Sequence, residues 1–225
     1  MIRVYVICEG QTEEMFIAEV LSDIFNSKEI YLIPSLIGKP GHKGGNVKYE
    51  RLFTDLRARL LSDTSAYCTT FFDFYGLSSD FPGKDNALKI NGTANKADCV
   101  QQAFTERLCM QLGEAPVRRF IPYVQMYEFK GLLFSNPLKL AQAIYQPALA
   151  NDFQNIRDDF DSPEDINNSY DTAPSRLIEK RFIGYDKPLH GSLAAIVIGI
   201  EAMRVECPLF DGWLKRIEAL QGGVG

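Results

Sequence analysis

Histidine is scarce in this chain, with His42 and His190 as its two representatives, too few for a metal site built on imidazole. The five cysteines, Cys8, Cys68, Cys99, Cys109 and Cys207, are odd in number and widely spaced, and no C-x-x-C pair occurs. Neither a disulfide framework nor a zinc knuckle follows from that arrangement. The longest apolar run, Leu193 to Ile200 counting its glycine, falls far short of the roughly 20 residues that span a bilayer. The N-terminus opens on a strand-like run and lacks the basic start, apolar stretch and small-residue cleavage site of a secretory leader. These absences predict a reduced, cytoplasmic protein with no membrane contact. Also missing are G-x-x-x-x-G-K-[ST], G-x-G-x-x-G and G-x-S-x-G, which sets aside a Walker A loop, a dinucleotide fingerprint and a serine-hydrolase elbow.

What is present is an ordinary globular composition, 225 residues at 46% hydrophobic and 24% charged, the size of one domain. Ile2 to Cys8 is β-branched and nearly continuous in its apolarity, which predicts a strand buried on both faces of a parallel sheet. It stops at Glu9-Gly10, where Thr12 is the expected N-cap of a helix with Glu13 and Glu14 in its first turn. Phe16, Ile17, Val20, Leu21, Ile24 and Phe25 give that helix one apolar face. Ile30 to Ile37, Tyr67 to Phe72 and Arg119 to Tyr127 read as further strands. Tyr49 to Leu61 and Asn95 to Leu112 read as helices, and beyond Phe134 the pattern is mostly helical, with a last helix from Leu193 to Leu220 interrupted near Cys207-Pro208. Strands alternating with helices predict an α/β fold with a mainly parallel central sheet. We expect a single domain, with an approximate core at 1–135 and a mostly helical extension at 136–225.

Charge is unevenly spread around a net value of -5. The segment from Gly38 to Arg59, with Lys39, Lys43, Lys48, Arg51, Arg57 and Arg59, is net +4, whereas Asp152 to Asp171 is net -6. The glycine and lysine-rich loop from Gly38 to Lys48 is therefore the expected place for phosphate, cradled by backbone N–H groups and lysines. Three predicted strands end on an acid: Glu9, Asp73 and Glu128. In an open α/β sheet functional groups collect beyond the carboxyl ends of strands, and converging carboxylates suit a hard divalent cation such as Mg²⁺ or Mn²⁺. A receiver-like phosphotransfer domain is an alternative with fewer of its required acids in place.

Glu9-Gly10-Gln11-Thr12-Glu13 followed by an amphipathic helix resembles the first motif of Toprim domains. Asp73-Phe74-Tyr75-Gly76, the run Tyr127-Glu128-Phe129-Lys130-Gly131-Leu132-Leu133-Phe134, Ala173-Pro174-Ser175-Arg176, Lys187 and His190-Gly191 together resemble a bacterial family, domain of unknown function 4276, over nearly the whole chain. The resemblance implies a Toprim-like fold and a Mg²⁺-dependent phosphodiester-cleaving activity, a nuclease of a bacterial defence or mobile-element setting. Glu9 matches the strand-1 glutamate of Toprim enzymes, a metal ligand or general acid/base. Glu13 matches the second acid of the E-G-x-x-E variant in nucleases related to the overcoming-lysogenisation-defect group, and Asp73 the first aspartate of D-x-D. Tyr75 stands where the second aspartate belongs. A phenol is a poor Mg²⁺ ligand, so Glu13 or Glu128 supplies the missing carboxylate or the site binds metal weakly. Lys187 is the expected catalytic cation on the phosphoryl group. Lys39, Lys43, Lys48, Tyr75 and His190 are the expected substrate contacts. Nucleic acid is the expected partner, and a catalytically quiet subunit of an ATPase is the alternative.

Overall fold

The structure, a computed structural model, describes residues 1–38, 46–166, 173–182 and 187–223, the side chains at 187–189 and 223 excepted. Its centre is a parallel four-stranded sheet, β1 (Ile2–Cys8), β2 (Ile30–Leu36), β3 (Tyr67–Phe71) and β4 (Phe120–Ile121), in the order β2-β1-β3-β4. The register sets Cys8 of β1 against Phe71 of β3. The two central strands therefore end level, and Glu9 and Asp73 emerge side by side at one edge. Pro34 is accommodated because β2 lies at the sheet's margin, where a missing N–H interrupts no second ladder.

Strand residues alternate between two cores. Val4, Val6 and Cys8 face one, and Tyr5 and Ile7 the other. On the second side lie α3 (Tyr49–Ser62) and α5 (Thr93–Leu112), which bury Leu52, Leu56 and Leu60, and Val100, Phe104 and Leu108, each a series spaced by one helical turn. The short helices α4 (Lys84–Ala87) and α6 (Glu114–Val117) flank α5. The first side carries the opening helix, formed by α1 (Gln11–Phe16), a π-helical stretch Ile17–Leu21 and α2 (Ser22–Asn26). Ser22 Oγ donates to the Ile17 carbonyl five residues back, at 2.9 Å, matching the wider π spacing. The N-cap is Gly10 in extended backbone; Thr12, expected there, is buried within the first turn.

The same side is covered by the later helices, α7 (Pro137–Ala143), α8 (Ala150–Asp158), α9 (Pro174–Glu179), α10 (Lys187–Ile198), α11 (Ile200–Glu206) and α12 (Pro208–Glu218). The last expected helix is thus three: Gly199 at φ 83 breaks it in addition to Cys207-Pro208. Trp213 of α12 stacks on Phe71 and Tyr123 with ring centroids 5.2 and 4.6 Å away, and its Nε1–H donates to Thr69 Oγ1 at 2.8 Å. Among the described residues no helix is long and apolar enough to cross a membrane.

The strand expected over Arg119 to Tyr127 is confined to Phe120–Ile121, because Pro122 follows and has no N–H to give the ladder. Thr70 Oγ1 bonds the Tyr123 carbonyl at 2.6 Å in place of a backbone donor, and an isolated bridge between Asp73 and Gln125 resumes the pairing. Tyr127 then takes a left-handed conformation, φ 60, which turns the chain into a buried 3-10 helix, Phe129–Ser135. Glu128 sits at that turn rather than at a strand end.

Candidate functional site

Glu9 is the first residue past β1, and its Oε2 accepts the backbone N–H of Asp73 at 3.2 Å. The Glu9 carboxylate lies against Gly76, where any Cβ would overlap it. Asp73 in turn accepts the Phe129 N–H on Oδ1 at 2.7 Å, which ties the end of β3 to the turn after Tyr127. Glu128, one residue before Phe129, receives the N–H of Ser175 at 3.0 Å on Oε2 and its hydroxyl at 3.1 Å on Oε1. The Ala173-Pro174-Ser175-Arg176 segment therefore serves to hold Glu128. Glu13 is buried in α1, and its Oε2 lies 3.0 Å from the place a Cβ on Gly10 would take.

Sequence thus brings four carboxylates to the carboxyl end of the central strands. Their charges bear on the protonation of two of them, Asp73 and Glu13. Burial raises the Asp73 carboxyl well above the usual range, and the negative charges of Glu13, Glu9 and Glu128 raise it further, with Lys130 opposing. Burial also raises Glu13, again with Glu128 adding to the shift and Lys130 opposing it. Two lysines belong to this neighbourhood, and both are buried: Lys130, 8% exposed, and Lys84, 9% exposed. Lys84 donates to the Leu77 carbonyl and lies over the Phe74 ring at 5.5 Å; its pKa falls through burial, opposed by the charge of Glu9.

Tyr75 is 44% exposed, with its ring 5.6 Å from that of Tyr127, and burial, Tyr127 and Glu128 raise its phenol. His190 lies in the first turn of α10, which packs against α1, with its ring edge-on to Phe182 at 5.4 Å. Lys187 begins α10, but its side chain is outside the described residues, as are Lys39 and Lys43. Lys48 is exposed just before α3, and its charge acts on Asp80. Part of the basic segment has a structural use: Arg51 donates to the Ile37 carbonyl at 2.6 Å, and Arg59 to Ser35 Oγ at 2.8 Å while its guanidinium lies over Tyr5. Those two charges secure the end of β2 and are not spare for phosphate.

The donor set of Glu9, Glu13, Asp73 and Glu128 is all oxygen and suits a hard divalent cation. Among the described residues no three His, Cys, Asp or Glu side chains already form a cage around one point; Glu9, Asp73 and Glu128 instead accept protein donors. Lys130 and Ser175 lie inside motifs quoted for the resemblance but carried no assigned role, and Lys84 lies outside those motifs. A lysine inside the apolar run Phe129 to Phe134 was the available signal for the first, and Lys84 carries none.

Comparison with known proteins gives two findings. The family described as Domain of unknown function (DUF4276) matches residues 8–218. Among solved structures, the C-terminal region of the OLD protein of Xanthomonas campestris pv. campestris is similar at 16% identity, over 99% of this chain and 97% of that one, with a TM-score of 0.47. No curated protein matches the chain in sequence.

Proposed function

The chain belongs to the DUF4276 family, and we propose that it is a Toprim-like, Mg²⁺- or Mn²⁺-dependent phosphodiester-cleaving enzyme, a nuclease of a bacterial defence or mobile-element setting. The observation that carries this reading is the convergence of Glu9, Glu13, Asp73 and Glu128 at the carboxyl end of adjacent parallel strands, with the charges of Glu13, Glu9 and Glu128 all bearing on Asp73. These residues would hold the ion, with Glu9 and Asp73 nearest the chemistry. A divalent ion there supplies a polarised phosphoryl oxygen and an activated water.

The chain's own groups do the rest. Glu9 or Glu13 takes the proton of the attacking water, and Lys187 meets the negative charge that builds on the phosphoryl oxygens. The exposed Tyr75 ring beside Glu128 offers a face for a nucleobase, since stacking on an aromatic side chain is tolerant of sequence. His190 and the lysines at 39, 43 and 48 extend the contact along a phosphate backbone.

Incubating the full chain with single- and double-stranded DNA and RNA, with Mn²⁺ or Mg²⁺ and with EDTA, tests the reading. Metal-dependent cleavage that falls at least about 100-fold in Glu9→Gln and Asp73→Asn is expected, the scale of losing a group that acts on the transition state. Intact substrates, together with no calorimetric signal for Mn²⁺, would refute it.

A second reading, a catalytically quiet subunit of an ATPase, is favoured by one observation: Glu9, Asp73 and Glu128 already accept protein N–H groups, as carboxylates with a structural role do. A stoichiometric ATPase retained on the chain through purification from its native host, with cleavage unaffected by Glu9→Gln, would select it.

A further inference from the structure

We propose that Tyr75, backed by Tyr127 and flanked by Lys96 and Lys48, is a stacking platform that selects single-stranded nucleic acid for the acid site. One unpaired base lies on the Tyr75 ring while the two lysines meet neighbouring phosphates. Cutting of that strand rests on the metal-dependent reading above, whereas its capture does not.

Tyr75 is exposed although its backbone is fixed: its N–H donates to the Tyr127 carbonyl at 3.3 Å, and the Phe74 N–H before it donates to the Gln125 carbonyl at 2.8 Å. Its ring leans on two buried rings, Tyr127 at 5.6 Å and Phe74 at 6.1 Å between centroids. It is thus held by protein and open to solvent at once. Tyr127 backs it from a left-handed backbone, φ 60, an outlier for a bulky residue that persists only where the surroundings enforce it and that collects at ligand sites.

Two cations stand beside these rings. Lys96 Nζ lies over the Tyr127 ring at 5.7 Å, the attractive face for a cation. Lys48 is brought in by Val47, whose N–H donates to the Gly76 carbonyl at 2.7 Å and whose carbonyl accepts the Ser78 N–H at 3.0 Å. This exposed lysine is therefore anchored along the turn that carries Tyr75. Among the described residues neither lysine is in a salt bridge, which leaves both charges for a ligand. The acids are close by in the chain, Asp73 two residues before Tyr75 and Glu128 directly after Tyr127. A base can lie flat on a side chain only when it is out of the duplex, and an aromatic face accepts every base. A platform one or two residues from the acids therefore admits a strand that is already unpaired and holds it beside them.

Fluorescence anisotropy of the full chain with labelled oligo(dT), oligo(rU) and duplex oligo(dA)·oligo(dT), in EDTA and again in CaCl₂, tests this. At least one single strand is expected to bind about tenfold more tightly than the duplex, the scale of one stacked base. Tyr75→Ala is expected to weaken single-strand binding about tenfold and to leave the duplex unchanged, while Tyr75→Trp, which keeps a stacking face, stays near wild type. Lys96→Met and Lys48→Met are each expected to weaken binding and to lower the slope of log Kd against log salt by about 0.7, one phosphate contact on a single strand. A duplex bound as tightly as the single strands, or no single strand bound at all, overturns the proposal, and so does wild-type binding by Tyr75→Ala. An unchanged salt slope overturns the role of the lysine concerned. Should Tyr75→Ala fail to fold, Tyr75→Leu, which fills the space without a π face, is expected to show the same loss, and wild-type binding by it counts against the platform. Tyr75-dependent binding without cleavage in Mg²⁺ or Mn²⁺ leaves the platform standing and the nuclease reading fallen; metal-dependent cleavage with binding indifferent to Tyr75 does the reverse.

Discussion

Gly76 is the residue at which the acid site tolerates least. No left-handed backbone requires glycine there; the constraint is the Glu9 carboxylate lying where a Cβ would be. Gly76→Ala must push Glu9 aside or shift the turn that follows Asp73. The expected outcome is a loss of about 1–3 kcal/mol in stability, the range for overpacking, and at least tenfold weaker Mn²⁺ binding, read by denaturant melts and calorimetry. Ser175→Ala tests the other side of the site more gently, removing the hydroxyl on Glu128 Oε1 and leaving the backbone N–H on Oε2. A cost of about 1 kcal/mol is expected in the same melts. At this scale Glu9 and Asp73 were legible from the ends of apolar runs, Glu128 from a strand read beyond its true end at Ile121, and Glu13 through the resemblance of its motif. The sequence could not show that Lys84 and Ser175 join them, since those approaches depend on segments brought together from distant parts of the chain.

Among the elements, α12 is held at its start in an unusual way. Its first N–H groups are received by a side chain from the acidic tract: Glu164 accepts Leu209 N–H at 2.8 Å and Phe210 N–H at 2.9 Å. Such donors welcome a negative charge, yet Glu164 is 2% exposed, and burial outweighs the two N–H bonds and pushes its carboxyl up to about 7. A folded-state value above the unfolded one means that the contribution to stability is complete below about pH 4 and is lost as pH rises through 7. A shift of that size corresponds to about 3 kcal/mol. Thermal midpoints are therefore expected to decline between pH 5.5 and 8.5. Glu164→Gln is expected to flatten that decline while lowering the midpoint at pH 5.5, because an amide presents one acceptor where the carboxyl presents two.

Periodicity located most of the strands and longer helices, and the departures each have a local cause. Pro122 cut β4 to two residues, and Gly199 added a break in the last helical run. The π-helical stretch at Ile17–Leu21, matched by the Ser22 hydroxyl on the Ile17 carbonyl, left no mark in the apolar spacing.

At the scale of the whole molecule, the sheet depends on the end of the chain. Trp213 closes a stack with Phe71 and Tyr123, and Glu218 receives Arg204 and Lys28, joining α11, α12 and the turn before β2. Trp213→Ala is expected to cost about 3–5 kcal/mol, as for other large aromatics cut from cores. Trp213→Phe, which loses the N–H on Thr69 and keeps a ring, should cost much less; denaturant midpoints compare the two.

The tether between Trp213 and Thr69 also governs birth of the protein on the ribosome. Thr69 is made 144 residues before its partner, and at roughly 5–20 residues per second the growing polypeptide waits several seconds or more with one face of β3 uncovered. Ser175, which secures Glu128, likewise arrives late, 47 residues after it. A nascent chain released early would carry an exposed apolar sheet and an acid site without its anchor, so abortive products of this protein are expected to aggregate and to engage chaperones.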